Sequence, residues 1–308
     1  MLPRFVSISE GTDPMARGRS LPLSPARRWM SDSVHFGQKM PLISFERRMQ
    51  LAPLAAARAA CPVRPGWCAL LIKAAALVAV RRPELRRAYL PFPRPRLYEH
   101  PFNVAIVSVE RQDHGEPIVI PTKIHRPERL SVFEIDALLQ RYRTEPLEQF
   151  SFYRRLRRTA RLPTPLRRLV WRLGLSLCGS KRAKWFGTCN ISVTAGLGAA
   201  ALQLLGPTAP LFWYAPLQPS GAMDVRMAFD HRVLDGASAA RALADLEETL
   251  LGEVAAELTP PDAAYVADDA QQAGNRLLVQ GICGVFPKPS TPSQFVDLVQ
   301  TVLLPRTA

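Results

Sequence analysis

Strand-like and helix-like patterns of apolar residues alternate along this chain. Runs rich in β-branched and aromatic residues, typical of strands, span residues 41–45, 103–109, 117–121, 187–193, 211–217 and 223–229. Segments with apolar residues at helical spacing span residues 49–60, 67–80, 132–142 and 237–251. A further short helix is expected to open at residues 27–30. The pattern therefore predicts a globular fold that combines helices and strands.

The composition divides the chain into three parts. Residues 1–25 are rich in Ser, Pro, Gly and Arg without sustained periodicity, which predicts a mobile leader. The periodic elements occupy residues 26–255, and 47% hydrophobic content is enough to build a real core there. After Thr259-Pro260-Pro261 the pattern changes, so residues 256–308 are expected to form a C-terminal extension.

Most of the net charge of +14 is concentrated in a basic insert at residues 151–184. Between residues 154 and 184 the insert carries eight arginines followed by Lys181, Arg182 and Lys184, with no acidic residue. This segment alone contributes +11. Such a localised cationic surface favours an anionic partner, such as a membrane surface, an acidic carrier protein or a phosphate-rich ligand.

Within the insert, apolar residues recur at helical spacing; they are Leu166, Leu169, Val170, Leu173 and Leu177. Arginines lie largely on the other faces, so we expect a basic amphipathic helix. Two interpretations of this helix remain open. It would suit the interface of an anionic membrane or a groove on an acidic partner. Alternatively, its apolar side packs on its own domain and its arginines are solvated.

The cysteine content argues against a zinc site or a disulfide framework. The five cysteines are odd in number and form no CxxC pair. No stretch of about 18 uncharged apolar residues occurs, and the N-terminus lacks the apolar segment of a signal peptide. We therefore expect a cytoplasmic protein, with peripheral membrane association through the insert as one option.

A histidine and a carboxylate lie between the last predicted strand and the long helix that follows it. His231 follows the strand at 223–229, Asp235 comes four residues later, and Gly236 permits a tight turn into the helix. A rigid turn can fix an imidazole whose ordinary pKa is near neutrality, which suits a general base. The residues alone leave a structural role for His231 open.

Three motifs resemble one family. Residues 229–237, FDHRVLDGA, resemble the DHRxxDG signature of the catalytic domain of 2-oxoacid dehydrogenase E2 acyltransferases, which share a superfamily with chloramphenicol acetyltransferase and the condensation domains. Residues 71–76 with residues 83–85 resemble the family's IKAAA…PEL helix, and residues 187–192 resemble its GTFTIS strand. The resemblance covers residues 26–255.

This resemblance implies a fold and a set of roles. The implied fold is chloramphenicol acetyltransferase-like, an α/β (α+β) two-layer sandwich with a mixed sheet covered by helices. His231 would be the general base, and the Ser192 hydroxyl would donate to the tetrahedral oxyanion. Asp235 would act structurally through an earlier arginine, for which Arg28 or Arg27 is the candidate. Family members build this site between the subunits of a trimer, so a homotrimer is implied.

Two departures from the family shape the expected reaction. Nothing before residue 26 could fold as a lipoyl domain, and the arginine-rich insert precedes the strand that leads to Ser192. We therefore expect a free-standing acyltransferase that acylates a hydroxyl, amine or thiol. Its co-substrate would be an acyl-CoA or the phosphopantetheine of an acyl carrier protein, with no tightly bound cofactor or metal.

Two other functions compete with acyl transfer. The missing lipoyl and subunit-binding modules also fit a catalytically silent E2-like scaffold. Nucleic-acid binding is disfavoured, because no nucleic-acid-binding fold is recognisable and aromatic interleaving of the arginines is limited, with Tyr153, Trp171 and Trp185 as the candidates. The joined motifs favour an acyltransferase.

Overall fold

The computed structural model describes residues 19–258, so most of the predicted leader and nearly all of the predicted C-terminal extension lie outside the described residues. The strands of the described part are β1 (Leu42–Gln50), β2 (Arg87–Leu90), β3 (Arg96–Glu99), β4 (Val104–Asp113), β5 (Glu116–His125), β6 (Cys189–Ile191), β7 (Leu211–Tyr214) and β8 (Ala222–Asp230). Its helices are α1 (Pro25–Gly37), α2 (Ala52–Ala60), α3 (Trp67–Arg81), α4 (Val132–Thr144), α5 (Ser151–Ala160), α6 (Thr164–Ser176), α7 (Gly179–Phe186), α8 (Gly236–Thr249) and α9 (Ala255–Leu258).

Six of these strands form one mixed sheet in the order β1-β8-β7-β6-β4-β5. β8 runs antiparallel to both of its neighbours, whereas β6 is parallel to β7 and to β4. β4 and β5 form a hairpin whose turn contains His114 and Gly115, with φ values of 50° and 81°. β2 and β3 pair separately. The predicted mixed sheet covered by helices is confirmed.

Helix α3 packs against α4 and α8 in the main core and is apolar on nearly every side. Leu70 is completely buried, and Lys73 is buried on the same helix. The Lys73 amine donates to the carbonyls of Glu128 and Leu130 and forms a 3.0 Å ion pair with Glu257. These partners satisfy the ammonium group, which explains how a lysine is tolerated in the core.

Two predicted boundaries differ from the structure. The helix predicted over residues 49–60 begins later, because Met49 and Gln50 continue β1 along β8 and Met49 is completely buried there. Pairing with a long neighbouring strand outweighs the local helical preference. The strand predicted over residues 187–193 is shorter, because Gly187 has a φ of 75°, outside the strand region.

The basic insert folds as the three helices α5, α6 and α7, which contact α1, β5 and β4. Asp32 of α1 is completely buried and forms an ion pair with the buried guanidinium of Arg167 in α6. Arg168 approaches the same carboxylate at 3.7 Å. This charged contact anchors the insert to the domain. No helix within residues 19–258 has the length and hydropathy needed to cross a membrane.

The leucine-rich side of α6 faces outward. Leu166, Leu169 and Leu173 are 50%, 49% and 45% exposed, whereas Arg167 and Trp171 on the other side are buried. The interpretation in which the apolar side of this helix packs on its own domain is therefore wrong for these three leucines. The physical cause of this outward orientation is the buried ion pair with α1, which turns Arg167 inward.

Candidate active site

The turn between β8 and α8 is held tightly against β1. The backbone N–H of His231, just after β8, donates to the carbonyl of Pro41 at 3.1 Å. Where α8 begins, a Cβ on Gly236 would lie 2.8 Å from the ring of Phe45. Only glycine permits this close approach without displacing the ring.

One hydrogen bond sets the tautomer of His231, whose side chain is exposed. Its Nδ1 lies 2.9 Å from the carbonyl oxygen of Leu234. Because a carbonyl can only accept, Nδ1 carries the proton and Nε2 of the neutral ring keeps its lone pair. The ring also packs edge-on against Phe229, with centroids 6.1 Å apart. The unprotonated Nε2 is therefore a hydrogen-bond acceptor on an exposed side chain.

An ion pair within the motif fixes the shape of this turn. The buried carboxylate of Asp230 accepts from Nε and Nη2 of Arg232 at 2.9 and 2.7 Å, and from its backbone N–H at 3.0 Å. The hydrogen bonds with Asp230 raise the pKa of the Arg232 guanidinium. Arg232 also lies 4.3 Å from the ring centroid of Tyr89, a cation–π contact. The arginine of the motif therefore stabilises the turn that presents His231.

A buried arginine from the basic insert reaches the same turn. Arg182 of α7 lines a small cavity together with Asp230 and Leu234. Burial lowers the pKa of Arg182 to about 10, and the charge of Asp230 opposes that lowering. Its hydrogen-bond acceptors, the carbonyls of Tyr89 and Leu175, are both 3.4 Å away. Sequence analysis did not assign Arg182 to this site, because its position depends on how the insert folds.

Asp235 caps α8 within the chain and does not meet the predicted arginine. Its carboxylate accepts from the backbone N–H of Ser238 at 2.7 Å, and this hydrogen bond lowers the pKa of Asp235. Arg28 donates instead to backbone carbonyls before α1 and at the end of α5, and Arg27 pairs with Glu116. Within residues 19–258 of one chain, neither arginine contacts Asp235.

Ser192 and His231 do not meet within one chain. The backbone N–H of Ser192 donates to the carbonyl of Phe212 at 3.2 Å, which places Ser192 level with Trp213 and Arg226 of the neighbouring strands. His231 lies five positions beyond Arg226 and two strands away from Ser192. From the spacing of residues along a strand and of strands in a sheet, Ser192 and His231 are roughly 20 Å apart. The structure thus places Ser192 and His231 at different places on one chain.

Cys189 lies close to Ser192 in sequence but belongs to the core. Its side chain packs against the main hydrophobic cluster. Burial raises the pKa of the Cys189 thiol to about 12, so the thiol stays protonated and is a poor nucleophile. Within the part of the chain that the structure describes, no group of three His, Cys, Asp or Glu side chains is placed to hold a metal ion.

No family model matches the sequence, and no curated protein matches it significantly. Solved structures do match. A probable dihydrolipoamide acetyltransferase from Listeria monocytogenes shares 14% identity over 80% of this chain and 97% of that chain, with a TM-score of 0.56. The dihydrolipoamide acetyltransferase of Azotobacter vinelandii shares 16% identity over 83% of this chain and 100% of that chain, with a TM-score of 0.57.

A third structure extends the comparison. The truncated catalytic core of the 2-oxoacid dehydrogenase multienzyme complex from Thermoplasma acidophilum shares 17% identity over 76% of this chain and 99% of that chain, with a TM-score of 0.55. In each case nearly the whole of the other chain is covered. The chain described here therefore has the fold of the dihydrolipoamide acetyltransferase catalytic core, as its three sequence motifs predict.

Proposed function

We propose that this protein is an acyltransferase. It moves an acyl group from a thioester, on coenzyme A or on an acyl carrier protein, to a hydroxyl, amine or thiol. The observation that carries the proposal is the hydrogen bond from Nδ1 of His231 to the Leu234 carbonyl, which leaves Nε2 as a proton acceptor on an exposed, rigid turn. The likeness to acetyltransferase structures supports the same class of reaction.

In the proposed reaction, His231 acts first as base and then as acid. Nε2 removes the proton of the acceptor as its O, N or S atom attacks the thioester carbonyl carbon. The resulting oxyanion accepts a hydrogen bond from the Ser192 hydroxyl, a contribution of about 3 kcal/mol. When the intermediate collapses, the C–S bond breaks and the imidazolium returns the proton to the thiolate. The products are the acylated acceptor and a free thiol.

The distance between Ser192 and His231 supports a site that two protomers share. We propose a homotrimer in which His231 of one protomer faces Ser192 of its partner. The loop after Ser192 exposes Leu197, Leu202 and Leu205 to 78%, 83% and 49%. A neighbouring protomer would cover this apolar surface.

The basic insert supports an anionic acyl donor. No acidic residue occurs between residues 149 and 223. On the adjacent edge strand, burial and the nearby charges of Arg155 and Lys184 lower the pKa of Lys123 to about 8. The phosphates of coenzyme A and the acidic surface of a carrier protein both complement such a surface. Either molecule acts as a co-substrate and leaves after each turnover.

Release of free thiol from a panel of acyl-CoAs and acyl carrier proteins tests the proposal. His231→Ala should lower kcat by about 100- to 10,000-fold, and Ser192→Ala by about 100-fold. His114→Asn is the control, because His114 is exposed on the β4–β5 turn and asparagine tolerates its backbone conformation. An undiminished rate in His231→Ala would refute the proposed base. A wild type inactive with every donor would favour the E2-like scaffold.

A further inference from the structure

Helix α6 carries an exposed row of leucines that the proposed reaction does not use. Leu166, Leu169 and Leu173 are each about half exposed, at 50%, 49% and 45%. Their spacing places them on one side of the helix. The row extends over about 10 Å of the helix axis, at about 1.5 Å per residue.

Contacts on the opposite side of α6 hold this row outward. Arg167 is buried in its ion pair with Asp32, and Trp171 packs against aromatic rings of α1. Gly174 is buried and touches the ring of Trp185, leaving no room there for a side chain. These contacts fix the rotation of α6 at successive turns. The leucines therefore cannot be buried by rotating the helix in place.

Positive charge is concentrated on α6 and on the segments that flank it in sequence. The exposed cations on α6 and on the segments before and after it are Arg154, Arg155, Arg158, Arg161, Arg172, Lys181 and Lys184. No acidic residue lies between residues 149 and 223 to offset them. An apolar row among cations complements a partner that has an anionic surface and an apolar interior.

We propose that α6 docks this protein on an anionic phospholipid bilayer. The helix lies in the plane of the interface, where Leu166, Leu169 and Leu173 enter the acyl boundary and exposed cations of the basic insert bind lipid phosphates. A bilayer fits better than an acidic protein, because the leucines project from the convex side of a helix and a lipid surface accepts separate side chains without a preformed groove. This docking does not depend on the chemistry at His231.

Vesicle co-sedimentation of the full chain tests the docking. The wild type should bind vesicles of phosphatidylcholine mixed with phosphatidylglycerol and not vesicles of phosphatidylcholine alone. Replacing Leu166, Leu169 and Leu173 together by serine should lower the bound fraction about tenfold. The matched control is Val63→Ser with Leu97→Ser, because these residues are also exposed, at 65% and 49%, on other elements. The control should bind like the wild type.

Arg172→Glu provides a second variant at an exposed position, so its folding should be unaffected. It should weaken binding to the anionic vesicles. Wild-type binding by the triple serine variant would refute the proposal. Absence of vesicle binding by the wild type would also refute it. If the triple serine variant then lost binding to purified acyl carrier protein, the leucine row would be a docking surface for an acidic protein. If the triple serine variant changed its oligomeric state instead, the row would belong to a subunit interface.

Discussion

Mixing two inactive variants tests whether the proposed site is shared between protomers. His231→Ala and Ser192→Ala each remove one of two side chains that lie roughly 20 Å apart in a single chain. Neither variant alone contains a complete site. If His231 of one protomer acts with Ser192 of its partner, however, a mixed trimer contains some sites in which both side chains are intact.

The activity that the mixture should recover follows from how a trimer would pair His231 of one protomer with Ser192 of the next. In trimers assembled at random from equal amounts of the two variants, each site takes its histidine from one protomer and its serine from the next. Each of these is the intact residue with a probability of about one half, so about one quarter of the sites are complete. The mixture should therefore recover about a quarter of the wild-type rate, whereas each variant alone stays about 100-fold or more below it.

The assay is thiol release after the two variants have been unfolded together in urea and refolded, so that protomers exchange. The control is an equal mixture of wild type and the chain that carries both substitutions. A shared site predicts that this control retains about one quarter of the wild-type rate, whereas a site within one chain predicts about one half. The shared site would be refuted if the control mixture retained one half of the wild-type rate and the mixture of His231→Ala and Ser192→Ala recovered no activity.

Three further predictions concern stability, each measured by urea unfolding. Asp32→Asn leaves Arg167 buried without its ion pair and should lower the free energy of unfolding by about 3–5 kcal/mol. As the control, Glu116→Gln breaks only an exposed ion pair and should lower the free energy of unfolding by less than about 1 kcal/mol. Asp235→Ala should lower the free energy of unfolding by about 1 kcal/mol, and Asp235→Asn should lower it much less, because asparagine can still cap α8. Equal losses in the two variants would show that the charge of Asp235 matters instead. Burial lowers the pKa of Lys123 to about 8 from 10.5, so the folded chain bears an unfavourable charge below pH 8. Lys123→Met should therefore be more stable than the wild type at neutral pH, and this difference should shrink as the pH rises from 8 towards 10.5; a constant difference would contradict this account.

Local signals are sufficient to predict the elements that carry His231. An alternating run ends at Phe229, Asp235 can cap the next helix, and Gly236 is the residue that a close approach to β1 requires. Each of these signals acts over a few residues. The strand, the turn and the helix could therefore be predicted from the sequence before their neighbours in the sheet were known.

Long-range contacts decide the features that the sequence did not predict. Periodicity predicts the leucine side of α6, but the rotation of that helix depends on Arg167 finding Asp32, 135 residues earlier in the chain. The offset between Ser192 and His231 depends on the register of three strands. Neither pairing leaves a local pattern in the sequence, because each requires two distant segments to be folded already.

The basic insert links the two surfaces on which the proposals rest. Its second helix, α6, directs leucines outward, whereas its third helix, α7, directs the buried Arg182 into the cavity beside Asp230 and Leu234. Leu234 provides the carbonyl that fixes the His231 ring, and Asp230 holds the arginine of the same turn. The insert therefore carries the proposed docking surface on its outer side, and on its inner side it places Arg182 beside the turn that holds His231.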